Sequence, residues 1–593
     1  MSNQQTEKEA LNPKFEGFFI EMVMPDLEDR CQEVVVKILG EGWKVTQIGD
    51  NLTEFEIILH DDALSSKQAW DKTYELRSQP GVVDVEPLFT VPVQEKQVEL
   101  QAELVPTKRD ISLLDLIFSF LDRLLDLFVA SRKQGELQTN DVNWTLKELK
   151  VFQAWERYFP DPNKPPGHGI IIAHPDTGYT THPEIVDNLL LEEGYDFVGS
   201  DEDETDPLEK SDTELVNNPG HGTSTASVMV SPPGAQANYD NGKYVTGVAP
   251  GAKLVPLRIS YSVVLLSNRN LAQAIEYAAD KGFHIVSISL GAGFYNKRLR
   301  SAIVYAQKRG VIIIAASGTW VPYVIFPAAY DEVIAVCGST IEGKIWWGAS
   351  RGKKVDVSAP GKGVWYARSV KENGNLKYRI DQGEGTSFSA PLVAGVAALW
   401  LSYHGRDRLI QRYGAEKIPF IFNQLLRDTC DVPPNWKPNR YGAGIVNAAK
   451  LLDAPLPDNV NRSVIPPAFA LQQHTLVESG ELDTFAHLFE PQEEEMSINS
   501  LNSQLAELLQ TTETELPKRL KEVGQELSFY FAANRELYEK FAKSLNQDKG
   551  DRQQPATREF QTLAVQPSDS GKEMRDMLLN LGVSDNLNRK LEN

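Results

Sequence analysis

Three cysteines, Cys31, Cys337 and Cys430, are all that the 593 residues contain, and they stand far apart with no metal-ligand spacing. That scarcity argues against a disulfide framework or a zinc site and suits a reducing compartment. Positive charge is short as well. A formal net charge of −22 repels nucleic acid and anionic membrane surfaces. The opening stretch "MSNQQTEKEALNPKF" lacks the apolar core of a secretory signal, so a cytoplasmic location is expected. No internal repeat is found. What is present is ordinary for globular protein: 41% hydrophobic residues in a chain long enough for several domains.

The pattern divides the chain into five stretches. Residues 1–16 are a polar tail. Residues 17–95 read strand, helix, strand, strand, helix, strand, the split ferredoxin-like α+β order, with Asp26 placed to cap the first helix. Residues 96–139 are a linker holding "DISLLDLIFSFLDRLLDLFV" at 110–129, apolar nearly all round. This predicts a helix buried against a neighbouring domain or one that binds a partner. Its recurring aspartates disfavour a membrane span. From 140 to 453, apolar strands such as "GIIIAHPD", "HIVSISLG" and "GVIIIAAS" alternate with helical runs, which predicts an α/β fold with a parallel sheet covered on both faces. Residues 454–593 open with a proline-rich linker. Leu520, Val523, Leu527, Phe531, Tyr538, Phe541 and Leu545 then share one helical face, a helical extension that offers a surface for a protein partner.

Three short motifs fall in order inside the α/β stretch: "PDTG" with Asp176, "GHGTSTAS" with His221 and "GEGTSFSAP" with Ser387. Each alone arises easily by chance, as a strand-end aspartate, a core histidine or a helix-capping serine. Together they form an Asp, His, Ser series. Asp176 ends a strand, where a carboxylate can be held against an imidazole. Gly220 and Gly222 flank His221 and permit close backbone approach. Ser387 opens an apolar helix, with Pro391 expected in its first turn. Free backbone N–H groups at that helix end suit a developing oxyanion.

On these motifs the stretch 140–453 resembles the subtilases, the subtilisin-like serine proteases. "VTGVAPGAKLVPLRI", "SISLG" and "RYGAGIVNAAKLL" extend the resemblance. It implies that Ser289, Leu290 and Gly291 pair with substrate backbone opposite Ala316, Ser317 and Gly318. It also implies that 17–95 is an inhibitory prodomain whose segment "VVDVEPLFTV" supplies the last strand and the tail entering the cleft.

One position departs from the family. Its members read Ala-Ala-Gly-Asn where this chain has Ala316, Ser317, Gly318 and Thr319, and no asparagine lies between Asn296 and Asn373. Loss of that amide from subtilisin costs about 10²–10³ in turnover, about 2.7–4 kcal/mol. A threonine hydroxyl donates but reaches less far, so a slow or conditionally active protease is expected. The acidic run "GSDEDETDPLEKSDTE" at 199–214 reads either as a calcium loop or as a solvated acidic loop. No cofactor is otherwise required. By resemblance, Ile325 lies near the floor of the primary specificity pocket and Trp320 at its rim, which suggests a shallow pocket for small apolar side chains. Three functions remain open: an intracellular endopeptidase made as a latent zymogen, a maturation protease for a dedicated peptide or partner, and a scaffold with negligible turnover.

Overall fold

The computed structural model describes residues 14–23, 28–48, 51–59, 64–90, 139–199, 203–208, 218–265, 267–321, 323–458, 485, 488–489, 498–547 and 569–592. The expected helix at 110–129 and the capping role of Asp26 lie outside the described residues. The chain divides into two compact units. One comprises Met1–Arg123, Gly293–Tyr295 and Leu471–Asn593, and the other Leu124–Ala292 and Asn296–Ala470.

In the first unit, β1 (Lys14–Met22), α1 (Glu28–Leu39), β2 (Trp43–Ile48), β3 (Asn51–Leu59), α2 (Ser66–Arg77) and β4 (Val82–Thr90) follow the expected order. The four strands form an antiparallel sheet in the order β2-β3-β1-β4. Alternation decides which face is covered: Trp43, Val45 and Ile48 of β2 are buried, while Lys44 and Thr46 are exposed. Helix α2 starts on a capping box. The Ser65 hydroxyl accepts the Gln68 N–H, and the Gln68 side chain accepts the Ser65 N–H.

The second unit is built on seven parallel strands. They are β5 (Ile171–Asp176), β6 (Tyr195–Asp196), β7 (Lys253–Arg258), β8 (Ile285–Ile288), β9 (Ile312–Ala316), β10 (Ile334–Ser339) and β11 (Val357–Pro360), in the order β11-β10-β9-β8-β5-β7-β6. Every residue of β8 to β11 is buried, as a sheet covered on both faces requires. The crossovers include α3 (His221–Val230), α4 (Arg269–Asp280) and α5 (Lys297–Lys308). A long hairpin, β12 (Lys362–Glu372) with β13 (Asn375–Glu384), leads into α6 (Thr386–His404). Helix α6 is long and apolar enough to cross a membrane, yet it is the core helix of this unit, buried from Phe388 to Leu401. All three cysteines are free and buried. Burial pushes their thiols up, Cys31 and Cys430 to about 12 and Cys337 to about 11.

The C-terminal segment adds α7 (Ile498–Leu508), α8 (Leu516–Ala533), α9 (Arg535–Gln547), α10 (Asp569–Asn580) and α11 (Asp585–Glu592) to the first unit. The apolar face expected to run from Leu520 to Leu545 is split between two helices. Asn534 adopts an extended backbone, and its side chain accepts the Leu537 N–H at 2.9 Å, so it ends α8 and caps α9.

Candidate active site

Strand β5 delivers Asp176 to its carboxyl-terminal end, in register with Arg258 of β7. The carboxylate is fully buried. Its Oδ1 lies 2.7 Å from His221 Nδ1 and accepts the Thr177 N–H at 2.7 Å. Burial pushes the carboxyl up. The charge and hydrogen bond of His221, with His174 and the Thr177 N–H, outweigh it and hold Asp176 below the ordinary carboxylate range. His221 is the first residue of α3 and its side chain is 16% exposed, so one edge of the imidazole is open for chemistry. Gly222 explains how close the two loops come, because a Cβ there would sit 2.1 Å from the Gly178 carbonyl oxygen.

Three residues behind this pair escaped sequence reasoning. Asp206 is buried inside the acidic run. Its Oδ2 accepts the Thr177 O–H and the Gly220 N–H, each at 2.7 Å, and its Oδ1 accepts the Leu208 N–H at 2.8 Å. One carboxylate therefore ties the loop after Asp176 to the turn before His221. Burial raises its pKa against those three hydrogen bonds. Among the described residues no group of three His, Cys, Asp or Glu side chains could hold a metal ion. Asp206 spends both oxygens on donors of the chain itself. His174 and Thr225 complete the surroundings. His174 Nδ1 faces the Ser287 carbonyl at 3.2 Å, which keeps the proton there. Its Nε2 is left to accept the Thr225 hydroxyl at 2.9 Å, and Thr225 Oγ1 also stands 3.3 Å from Asp176 Oδ2. Burial lowers the His174 pKa, against the opposing pull of Asp176.

Ser387 is the second residue of α6, among backbone N–H groups that have no intrahelical acceptor. Pro391 is the sixth residue, beyond the first turn where it was expected. Its missing N–H frees the Ser387 carbonyl, which accepts the Ser289 hydroxyl at 2.9 Å. The Ser387 hydroxyl in turn donates to the Ser289 carbonyl at 3.1 Å. Among the described residues no hydrogen bond joins Ser387 to His221.

The family model described as "Subtilase family" matches residues 167–444, which hold all three residues. The major intracellular serine protease of Bacillus subtilis (strain 168) is 30% identical over 306 residues, 49% of this chain and 85% of that protein. The chain belongs to the subtilase family. A thermophilic serine proteinase of Bacillus sp. (strain AK1) is 32% identical over 248 residues, 42% of this chain but only 55% of its own length. Among solved structures, fervidolysin from Fervidobacterium pennivorans, described as a keratinolytic enzyme related to subtilisin, superposes with a TM-score of 0.51. That match covers 75% of this chain and 62% of fervidolysin at 22% identity, and it shows the fold. Family membership gives the chain its enzyme class, serine endopeptidase.

In this subtilase Thr319 follows β9 and faces the start of α6. Its Oγ1 accepts the Thr386 N–H at 3.2 Å and lies 3.2 Å from Thr386 Oγ1. Thr386 Oγ1 already accepts the Gly318 N–H at 3.2 Å, which leaves its own proton for Thr319. Ser289, Leu290, Ala316 and Ser317 are all buried, and Ser317 spends its N–H on Val336 and its carbonyl on Ile325. The expected substrate edge is not free at Gly291. Its N–H donates to the Val263 carbonyl at 3.0 Å, and its carbonyl accepts the Leu265 N–H at 2.8 Å, so the chain's own segment pairs there. The Ile325 side chain fills the space between the two walls. A Cβ on Gly291 would lie 2.8 Å from Ile325 Cδ1, and one on Gly318 3.1 Å from Cγ2. Trp320 packs edge-on against the exposed Trp347 at 4.1 Å.

Proposed function

We propose that this subtilase is an intracellular endopeptidase, held latent, that cleaves a protein or peptide substrate through Asp176, His221 and Ser387. The observation that carries the reading is the 2.7 Å bond between buried Asp176 and His221 Nδ1. With the imidazole proton held at Nδ1, Nε2 presents a lone pair that takes the Ser387 proton once that hydroxyl turns away from the Ser289 carbonyl. Ser387 Oγ adds to the scissile carbonyl, and Asp176 stabilises the imidazolium. His221 then protonates the leaving amine as the carbon–nitrogen bond breaks. Water, deprotonated by His221, cleaves the resulting ester and frees Ser387. The developing oxyanion receives the Ser387 N–H and the Thr319 hydroxyl, whose proton is spare if it accepts twice from Thr386. No step uses a cofactor.

Ile325 between Gly291 and Gly318 supports a preference for glycine or alanine before the scissile bond. Latency is supported by the segment 263–265 bonded along Gly291 and by the Ser387 hydroxyl bonded to Ser289. The resemblance of the N-terminal fold to an inhibitory prodomain points the same way. Mass spectrometry of the purified chain beside its Ser387→Ala form tests the whole reading. The wild type is expected to cut itself between about residues 94 and 140, in "QEKQVELQAELVPTKRD" or close to it. The Ser387→Ala chain should stay full length. Both chains remaining intact under activating conditions would contradict self-processing.

A further inference from the structure

Nothing in the catalytic reading gives the C-terminal helices a task, yet they are built onto the N-terminal fold with specific chemistry. Helix α8 sends Phe529 onto α2 and β4. Its ring stacks on Phe89 at 5.0 Å and tilts against Trp70 at 6.1 Å, and all three side chains are buried. One turn earlier, the fully buried Glu526 accepts the Tyr74 hydroxyl of α2 at 2.9 Å. The same carboxylate accepts the Ser584 N–H at 2.7 Å and the Ser584 hydroxyl at 2.6 Å, immediately before α11. Arg77 reaches Gln525, Lys67 pairs with Asp585, and Asp71 accepts the Asp585 N–H at 2.8 Å. A single carboxylate thus joins α2, α8 and the start of α11. Without α8, Trp70, Phe89 and the Tyr74 hydroxyl would lose these partners.

We propose that this surface of the N-terminal fold is a permanent docking face for the chain's own C-terminal helices. A cut between residues 91 and 138 therefore leaves the N-terminal domain attached to the chain through α8 and α11. Processing of that connection then changes where the domain is tethered without discarding it. The inhibitory element stays at high effective concentration, available to rebind. Retention requires no catalysis, so it stands or falls separately from the protease reading.

The test uses the full-length Ser387→Ala chain with recognition sites for an added site-specific protease placed in 91–138 and in 459–484. After both cuts, size-exclusion chromatography under native conditions should find the N-terminal and C-terminal fragments eluting together. Elution of the N-terminal fragment alone, or only with the catalytic fragment, overturns the proposal. Phe529→Ala should weaken the fragment pair at least tenfold, as for a buried aromatic anchor. Should that variant unfold the helices, Tyr74→Phe removes only one hydroxyl and should speed fragment exchange with an unchanged circular dichroism spectrum. Hydrogen exchange supplies an independent readout in the uncut chain. Amides of α2 should lose protection when the helices 498–592 are deleted, and unchanged protection would also overturn the proposal.

Discussion

Thr319 and Thr386 face each other across the entrance to α6, and the proton count at that contact decides what an oxyanion would meet. If Thr319 accepts twice from Thr386, its own proton is the donor. Thr319→Val should then lower kcat toward the ~10²–10³-fold quoted for losing such a donor, with KM nearly unchanged, and Thr319→Asn should match or exceed wild type. Harmless valine with deleterious asparagine in peptide-hydrolysis assays would show that another group fills this place. Asp206 acts one step further away, by fixing the loops that carry Asp176 and His221. Asp206→Asn places an N–H₂ group where donors already converge. A fall of about 10²-fold in kcat at constant KM is expected, the scale for misplacing a reacting group, and an unchanged kcat would remove Asp206 from this role. Asp176, His221 and Ser387 stood out because they sit in short motifs, and the fold brings the first two within 2.7 Å. Asp206 did not stand out, because it reads as one more carboxylate in an acidic run, and sequence does not reveal which member of a run is buried. His174, too, had no pattern of its own.

Helix α8 carries a pH dependence of its own through Glu526. Glu526 faces Tyr74 and Asp71 of α2, Ser584 before α11 and Tyr530 of its own helix, and burial raises it to about 7 against its hydrogen bonds to Ser584 and Tyr74. The unfolded chain releases this proton near the ordinary value of 4.5, whereas the folded unit keeps it until about 7. Stability from Glu526 is therefore fully present below pH 4.5 and is lost as pH rises toward 7, by on the order of 3 kcal/mol, then stays level. Denaturant melts of the first unit at pH 5 and pH 8 measure this. Glu526→Gln should flatten the difference, and a slope that survives the substitution would contradict the assignment. At this scale the N-terminal strand and helix order and the strands β5 and β7 to β10 were readable from periodicity, whereas β6, β11 and the β12–β13 hairpin were not. The break at Asn534 was not either, because the apolar face continues across it, while its extended backbone ends α8 and its side chain accepts the Leu537 N–H to cap α9.

Across the whole molecule, sequence order and spatial order part company. The parallel sheet carries Asp176 against His221, and Ser387 bonds Ser289 just beyond the neighbouring strand β8, three residues that come from distant motifs. The docking of α8 and α11 onto α2 was hidden, since an amphipathic helix shows that it has a partner without saying which. The pairing of Val263 and Leu265 with Gly291 was hidden too, because backbone bonds leave no mark on composition. The central claim is that Ser387 is a nucleophile activated by His221 and Asp176. A fluorophosphonate probe followed by peptide mapping measures this directly, in the intact chain and in the chain cut at both introduced sites. The account predicts label on Ser387, none on Ser387→Ala, and labelling at least 10²-fold slower in His221→Ala. A folded chain that takes no label in either form, or takes it on a different serine, would contradict it.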